Sequence, residues 1–263
     1  MPSALTTAAT GMEAQQTIVD VIANNLANVN TTGFKKSRVD FQDLLYQDAR
    51  NVGSAVTADN DVPTGTQVGS GVRTAAVYKI YTMGSIGAGA RGELDVAIEG
   101  DGFFQISLPD GTTAYTRAGA FKKDGDGQIV TSDGYPLEPG MVVPENTTDI
   151  SIGADGTVEA IIDGDTANPN ELGTIELVRF SNPAGLKSIG NNLHKETTTS
   201  GAPIAGIPSE DGMGALRQKA LEDSNVSTMQ EMTNMISAQR AYEINSKAIK
   251  TTDEMLQMTN QLA

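Results

Sequence analysis

The chain has 263 residues, 38% of them hydrophobic, 5% aromatic and none tryptophan or cysteine, with a net charge of -15. The charge argues against a nucleic-acid backbone or an anionic membrane surface as the main partner. The missing cysteine excludes disulfides and a thiol nucleophile, and 28 glycines with so few aromatics argue for a modest core with many turns.

Residues 3–32 predict one helix, with Ser3 as its N-cap. Its apolar or small residues Leu5, Ala8, Met12, Val19, Ile22, Leu26 and Val29, with Gln15 filling the gap, are spaced alternately three and four apart. That is a heptad seam. Gly33 is placed to end the helix in the left-handed region without a Cβ penalty. Asn24, Asn25 and Asn28 are poor helix formers, and amides near a seam can fix register against a partner.

Phe41, Leu44, Leu45 and Tyr46 form an apolar cluster expected to fold back on the helix end. Residues 47–72 shift to Asn, Gly, Ser, Thr and Asp and predict an extended or disordered arm. Arg73 to Met83 alternates in the manner of a strand. From Asp95 onward, short apolar runs are separated by recurrent Asp-Gly pairs, which favours antiparallel hairpins over parallel βαβ units. The clearest hairpin is Phe103–Leu108, turning at Pro109-Asp110-Gly111 into Thr112–Thr116. Residues 197–214 return to a linker composition.

The last segment, Ser227 to Leu262, mirrors the first. Ser227 with Gln230 fits a capping box, Glu243 and Lys247 are spaced to pair, and Met235, Tyr242, Ile249 and Leu256 recur every seven residues. Residues 1–40 are neutral overall and residues 227–263 carry -1, so the middle holds -14. Near-neutral ends can pack side by side while the acidic middle repels its copies. The expected class is α+β: long N- and C-terminal helices forming a coiled-coil-like core, with a central antiparallel β domain. The expected boundaries are 1–34 and 227–263 for the helical core and 35–94 for a connecting segment. The β domain would span 95–200 and a return linker 201–226.

Catalytic and metal chemistry find no foothold. His194 is the one histidine, and Asp124-Gly125-Asp126-Gly127 opens like a calcium loop but has Ile129 where that loop requires glycine. No catalytic residue, metal site or cofactor is expected. No signal peptide or bilayer-length apolar segment is visible, so the chain reads as soluble. Heptad-like helices that extend away from the β domain can pair with each other and with copies, giving head-to-tail contacts that do not close. In a free monomer such helices are expected to be largely disordered.

Two terminal motifs resemble a known family. Asn24-Asn25-Leu26-Ala27-Asn28 with Thr32-Gly33-Phe34-Lys35 is similar to the N-terminal signature of the bacterial flagellar rod and hook proteins. Glu231-Met232 with Asn234 through Glu243 is similar to their C-terminal signature, and Gly100 to Phe104 and Tyr115 to Gly119 resemble their β-domain motifs. Asp43 to Gln47, the arm, and Tyr242 to Ala248 look most like the family's distal-rod branch. The resemblance implies a structural subunit, not an enzyme, that polymerises into the drive shaft. Its implied partners are copies of itself, proximal rod proteins, hook protein, the P-ring and L-ring proteins and the flagellar type III export apparatus. Its implied place is the basal body, from periplasm to outer membrane. The subunit-packing residues expected on the N-terminal helix are Leu5, Met12, Val19, Ile22, Asn24, Asn25, Leu26, Asn28, Val29, Gly33 and Phe34. On the C-terminal helix they are Met232, Met235, Ile236, Gln239, Arg240, Tyr242, Ile249 and Leu256. The alternatives are a peptidoglycan-cleaving hydrolase using acidic residues, or a coiled-coil surface adhesin.

Overall fold

The computed structural model describes residues 2–50, 55–57, 60–61, 65–88, 92–162 and 169–262. Helix α1 spans Pro2–Ala27 and helix α2 spans Thr228–Leu262; the strands between them are short, so the class is α+β. The chain divides into two compact units. Unit 1 comprises Met1–Leu26, Ser37–Tyr78 and Ser227–Ala263, and unit 2 comprises Ala27–Lys36 and Lys79–Val226.

In unit 1 the helices touch at two points. Asn25 Nδ2 donates to Glu231 Oε2 at 3.3 Å, and a Cβ placed on Gly11 would stand 2.9 Å from Asn245 Nδ2. Asn25 and Gly11 are separated by the same number of residues as Glu231 and Asn245, in the opposite sense. The helices therefore run antiparallel and stay in register over about 21 Å. Ala14, Ile22 and Asn25 are buried on α1, and Glu231 and Ala238 on α2.

α1 stops earlier than its periodicity predicts. Thr31 N donates to Asn28 O and Thr31 Oγ1 to Asn28 Oδ1, a local turn that competes with the helix, and Gly33 follows at φ +69°. Ser227 O accepts from Glu231 N as α2 begins, but Gln230 Nε2 reaches forward to Asn234 Oδ1 and not back in a capping box. Glu243 and Lys247 make no ion pair among the described residues, since exposed side chains at that spacing gain little from one.

The rest of unit 1 is β structure, of which the sequence announced only the strand expected from Arg73. Strand Ser37–Asp43 pairs with Val72–Lys79, Tyr46–Arg50 pairs antiparallel with Thr66–Gly69, and Ala55–Thr57 with Asn60–Asp61. The described part of the 47–72 arm is thus a hairpin ladder; its other residues lie outside those described. The ladder is held by backbone hydrogen bonds, which any side chain permits, so the sequence carried no apolar alternation to announce it. Where the arm returns, Val72 N donates to Thr10 Oγ1 of α1 at 3.4 Å. Of the apolar cluster expected at 41–46, Phe41 and Leu44 are half-buried, but Leu45 and Tyr46 are not. Leu45 is 89% exposed and Tyr46 is exposed with it.

Unit 2 holds the main core. A six-stranded sheet runs in the order Lys187–Gly190, Leu193–Lys195, Thr113–Thr116, Phe103–Ser107, Leu177–Arg179, Ile204–Gly206, with every adjacent pair antiparallel. The Phe103–Ser107 hairpin turns through Gly111 at φ +75°, with Asp110 Oδ1 accepting from Thr112 N and Oγ1. A three-stranded sheet, Thr147–Ile152, Thr157–Ile162 and Asn170–Thr174, completes the body. Val96, Ile98, Phe104, Ile106, Leu137 and Leu177 are fully buried between these layers. The Asp124–Gly127 stretch is the turn between Lys122–Lys123 and Ile129–Val130, with Asp124 N donating to Gln128 O.

The stretch expected as a return linker, 201–226, instead supplies three strands. Ile204–Gly206 ends the large sheet, Ala215–Gln218 pairs with Val96–Glu99, and Ala220–Glu222 pairs with Ile86–Ala88. Their Gly and Pro neighbours mark turns between these strands, which is why composition alone read as linker.

His194 sits inside this unit, 3% exposed, edge-on to Tyr81 at 5.6 Å and with Nδ1 3.2 Å from Ser188 Oγ. Burial, aided by the nearby Lys79 charge, lowers its pKa to about 4. The unfolded chain therefore binds a proton near pH 6.5 that the folded chain refuses until about pH 4. Stability falls as the pH drops through that window. We predict a loss of about 2 kcal/mol between pH 7 and pH 5, measured by denaturant titration, that His194→Gln removes. An equal loss in both proteins would show that His194 does not govern it.

Candidate assembly interface

The two helices differ in the surfaces they present. α2 exposes Met229, Met232, Ile236, Tyr242, Ile244, Met255 and Met258, whereas no large apolar side chain described on α1 is exposed. On α1, Leu5, Met12, Val19 and Leu26 are half-buried, Ile22 is buried and Asn24 is exposed; Asn28 and Val29, half-buried, lie in the turn after it. On α2, Met235, Ile249 and Leu256 are half-buried on the face carrying the Glu231 and Asn245 contacts, while Met232, Ile236, Gln239, Arg240 and Tyr242 are exposed.

Three of the residues expected at a packing seam are engaged inside the chain. Asn25 is 2% exposed; its Oδ1 accepts from Ser37 N at 2.8 Å, and its Nδ2 donates to Ser37 O at 3.0 Å as well as to Glu231. The amide thus holds the strand that leaves α1 against the start of α2. Gly33 N donates to Glu222 O at 2.8 Å, and Phe34 is buried under the Lys79 ammonium at 4.9 Å.

Sequence reasoning missed a buried group of three charges. In unit 2, Lys35, Arg117 and Glu222 are almost wholly buried together. Lys35 Nζ donates to Glu222 Oε1 at 2.6 Å and to Thr82 O at 2.8 Å. Arg117 Nε donates to Glu222 Oε2 at 2.9 Å, and its Nη1 donates to Gly100 O and Gly102 O, each at 2.8 Å. Gly84 N also donates to Glu222 Oε1. Close by, Asn225 Oδ1 accepts from Lys36 N while its Nδ2 donates to Ile80 O.

Within unit 2, chain passages at 33–36, 80–84 and 222–225, beside three of the four points where the chain crosses between the units, are therefore tied at one place. Burial pushes the Glu222 carboxyl up, but Arg117 and Lys35 outweigh it and hold the group below its ordinary range. Burial lowers Lys35 more than Glu222 restores. A single charged residue in the apolar strand Ala220–Glu222 was the available signal, yet no spacing rule connects it to Lys35 or Arg117.

Glu222→Gln should leave two buried cations without their counter-charge, at a cost of about 3–5 kcal/mol. A fall in Tm of roughly 10 °C is the expected result at pH 7. A melt within 2 °C of the parent, by the same scan, would show that the carboxylate is not what holds these passages.

Comparison with known proteins agrees along the chain. The family model for flagella basal body rod proteins matches residues 5–35. The model for the D1 domain of flagellar hook protein FlgE/F/G matches 97–160, and that for the C-terminal part of flagellar basal body rod FlgEFG proteins matches 217–262. The flagellar basal-body rod protein FlgG of Borreliella burgdorferi is 55% identical over 100% of this chain and 99% of its own. That of Caulobacter vibrioides is 51% identical over 98% of each chain, and that of Bacillus subtilis 44% over 94% of each. A solved Helicobacter pylori flagellar hook protein, FlgE2, aligns at 15% identity and TM-score 0.24, covering 71% of this chain and 43% of that longer one. With identity at this level from end to end, and with models for both helical termini in place, the chain belongs to the FlgG family of flagellar basal-body rod proteins.

Proposed function

We propose that the chain is a structural subunit of the flagellar distal rod, polymerising into the shaft that carries torque from the periplasm through the outer membrane to the hook. In this reading residues 1–34 and 227–263 form a coiled-coil-like helical core, and the strands of unit 2 form a central β domain that braces neighbouring subunits. The observation that carries it is the surface of α2. Along its 35 residues it leaves Met229 74% exposed and Ile244 67% exposed, together with Met232, Ile236, Met255 and Met258, while its opposite face meets α1. A helix apolar on both faces is built to be covered by more than one neighbour. The names of the relatives support a rod role, and the chemistry asked of the subunit is packing, not catalysis.

The reading extends to the partners that a distal rod meets: copies of itself, proximal rod proteins, hook protein, the P-ring and L-ring proteins, and the type III export apparatus that delivers the subunit. No helix among the described residues is long and apolar enough to cross a membrane. The subunit-packing role assigned above to the helical residues is part of this proposal. So is ordering of the helices on assembly, which a rise in helical circular dichroism from monomer to polymer would support.

Two mutations test it. Leu26→Asp places a charge on the half-buried face of α1 and should abolish polymerisation while the melt of unit 2 is unchanged. Normal rods from that protein by electron microscopy would remove Leu26 from the packing surface. Deleting residues 47–72 should leave polymers that form but bend more, measured as a shorter persistence length in micrographs. Loss of the monomer's thermal transition would instead assign the arm to the fold.

A further inference from the structure

The outward faces of α1 and α2 carry opposite charges that form no ion pair among the described residues. On α1, the exposed residues Thr6, Ala9, Glu13, Gln16, Asp20 and Ala23 follow one another at alternating three- and four-residue steps, on a line away from Ala14, Ile22 and Asn25. Its two charges, Glu13 and Asp20, are seven residues apart. On α2, the outward line through Ile236 holds Arg240, Glu243 and Lys247, all exposed; the two cations are seven apart, and Glu243 between them falls opposite the neutral Gln16 when Arg240 meets Asp20. Among the described residues the ion pairs are Lys35–Glu222, Arg117–Glu222 and Arg38–Asp40, so none of these charges is in one of them.

Seven residues of helix advance about 10.5 Å and return to nearly the same face. The acidic pair and the basic pair therefore have the same spacing and direction. We propose that the outward face of α2 docks on the outward face of α1 of a second copy, with Arg240 against Asp20, Lys247 against Glu13, and Ile236 set beside Ala23. This rests on the polymer reading above and assigns its lateral contact.

The register follows from the internal one. Within one chain Asn25 lies level with Glu231 and Gly11 with Asn245, which puts Asp20 level with Ile236. Copies of the same polarity bring α2 of one antiparallel to α1 of the next. Matching Arg240 to Asp20 then displaces the neighbour by four residues, about 6 Å along the helix axis. A contact between unlike faces with an axial step does not close into a ring, and repeating it winds an open helix. The methionines flanking Ile236 on α2 adapt to small changes of packing as that helix winds.

The chain has no cysteine, so cross-linking is clean. Asp20→Cys with Arg240→Cys in one chain should give, under mild oxidation of assembled protein, a ladder of multimers on a non-reducing gel. The two sites lie on opposite outward faces, so no intrachain disulfide competes. Pairing Asp20→Cys with Lys247→Cys moves the thiols one heptad apart and should cut the ladder at least fivefold. A second test leaves these side chains charged: Glu13→Lys/Asp20→Lys and Arg240→Glu/Lys247→Glu should each stay monomeric with an unchanged melt, and their equimolar mixture should assemble.

Polymers of the cysteine variant that do not cross-link, or that cross-link equally in the displaced register, would overturn this contact and leave the polymer reading standing. Charge-reversed proteins that assemble alone as the parent does would do the same. A parent chain that stays monomeric under every assembly condition would overturn both.

Discussion

One carboxylate takes on more structural duty than any other side chain in this protein. Glu222 is buried with Lys35 and Arg117 and accepts a backbone N–H as well. Three charges removed from water are tolerable only when each is paired and hydrogen-bonded, and here both cations also donate to backbone carbonyls. Such an arrangement is demanding in geometry, since shifting any member by an ångström strands the others. Because the tied passages lie beside three of the four crossings between the two units, the charge cluster holds together the parts of unit 2 that flank residues 37–78 and the start of α2.

Around that constraint the molecule divides its labour by chemistry. Unit 2 encloses its apolar residues completely, with Phe104, Ile98, Ile106 and Leu177 excluded from solvent. Unit 1 encloses little. Its α1 is buried at few positions, and its α2 keeps a row of methionines and isoleucines in water. A fold that needed those apolar groups for its own stability would have covered them. Their exposure leaves an apolar surface open to other molecules, in keeping with membership of a rod-protein family.

Much of this was legible in the residues. The two terminal helices follow from heptad spacing, and the hairpin at Phe103–Thr116 from an Asp-Gly turn between alternating runs. The family followed from Asn24–Lys35 and Glu231–Glu243. Those signals are local: each needs only a few consecutive residues whose periodicity or turn preference survives in any context. Hidden from such reading were the strands at 37–43, 46–50 and 204–222 that composition presented as connectors, because a strand bonded through its backbone needs no particular side chain.

What the sequence determined by itself was the set of elements at the two ends, the neutral character of those ends against an acidic middle, and the surface chemistry available for assembly. Tertiary structure alone decided which amides and charges are spent inside. It turned Asn25 from an apparent seam residue into a hydrogen-bonded clamp on Ser37 and Glu231, and it drew Lys35, Arg117 and Glu222 together from positions nearly two hundred residues apart. The reason is physical. Periodicity reports which face a residue occupies, whereas a buried ion pair depends on where distant strands end, and nothing short of the folded chain sets that distance.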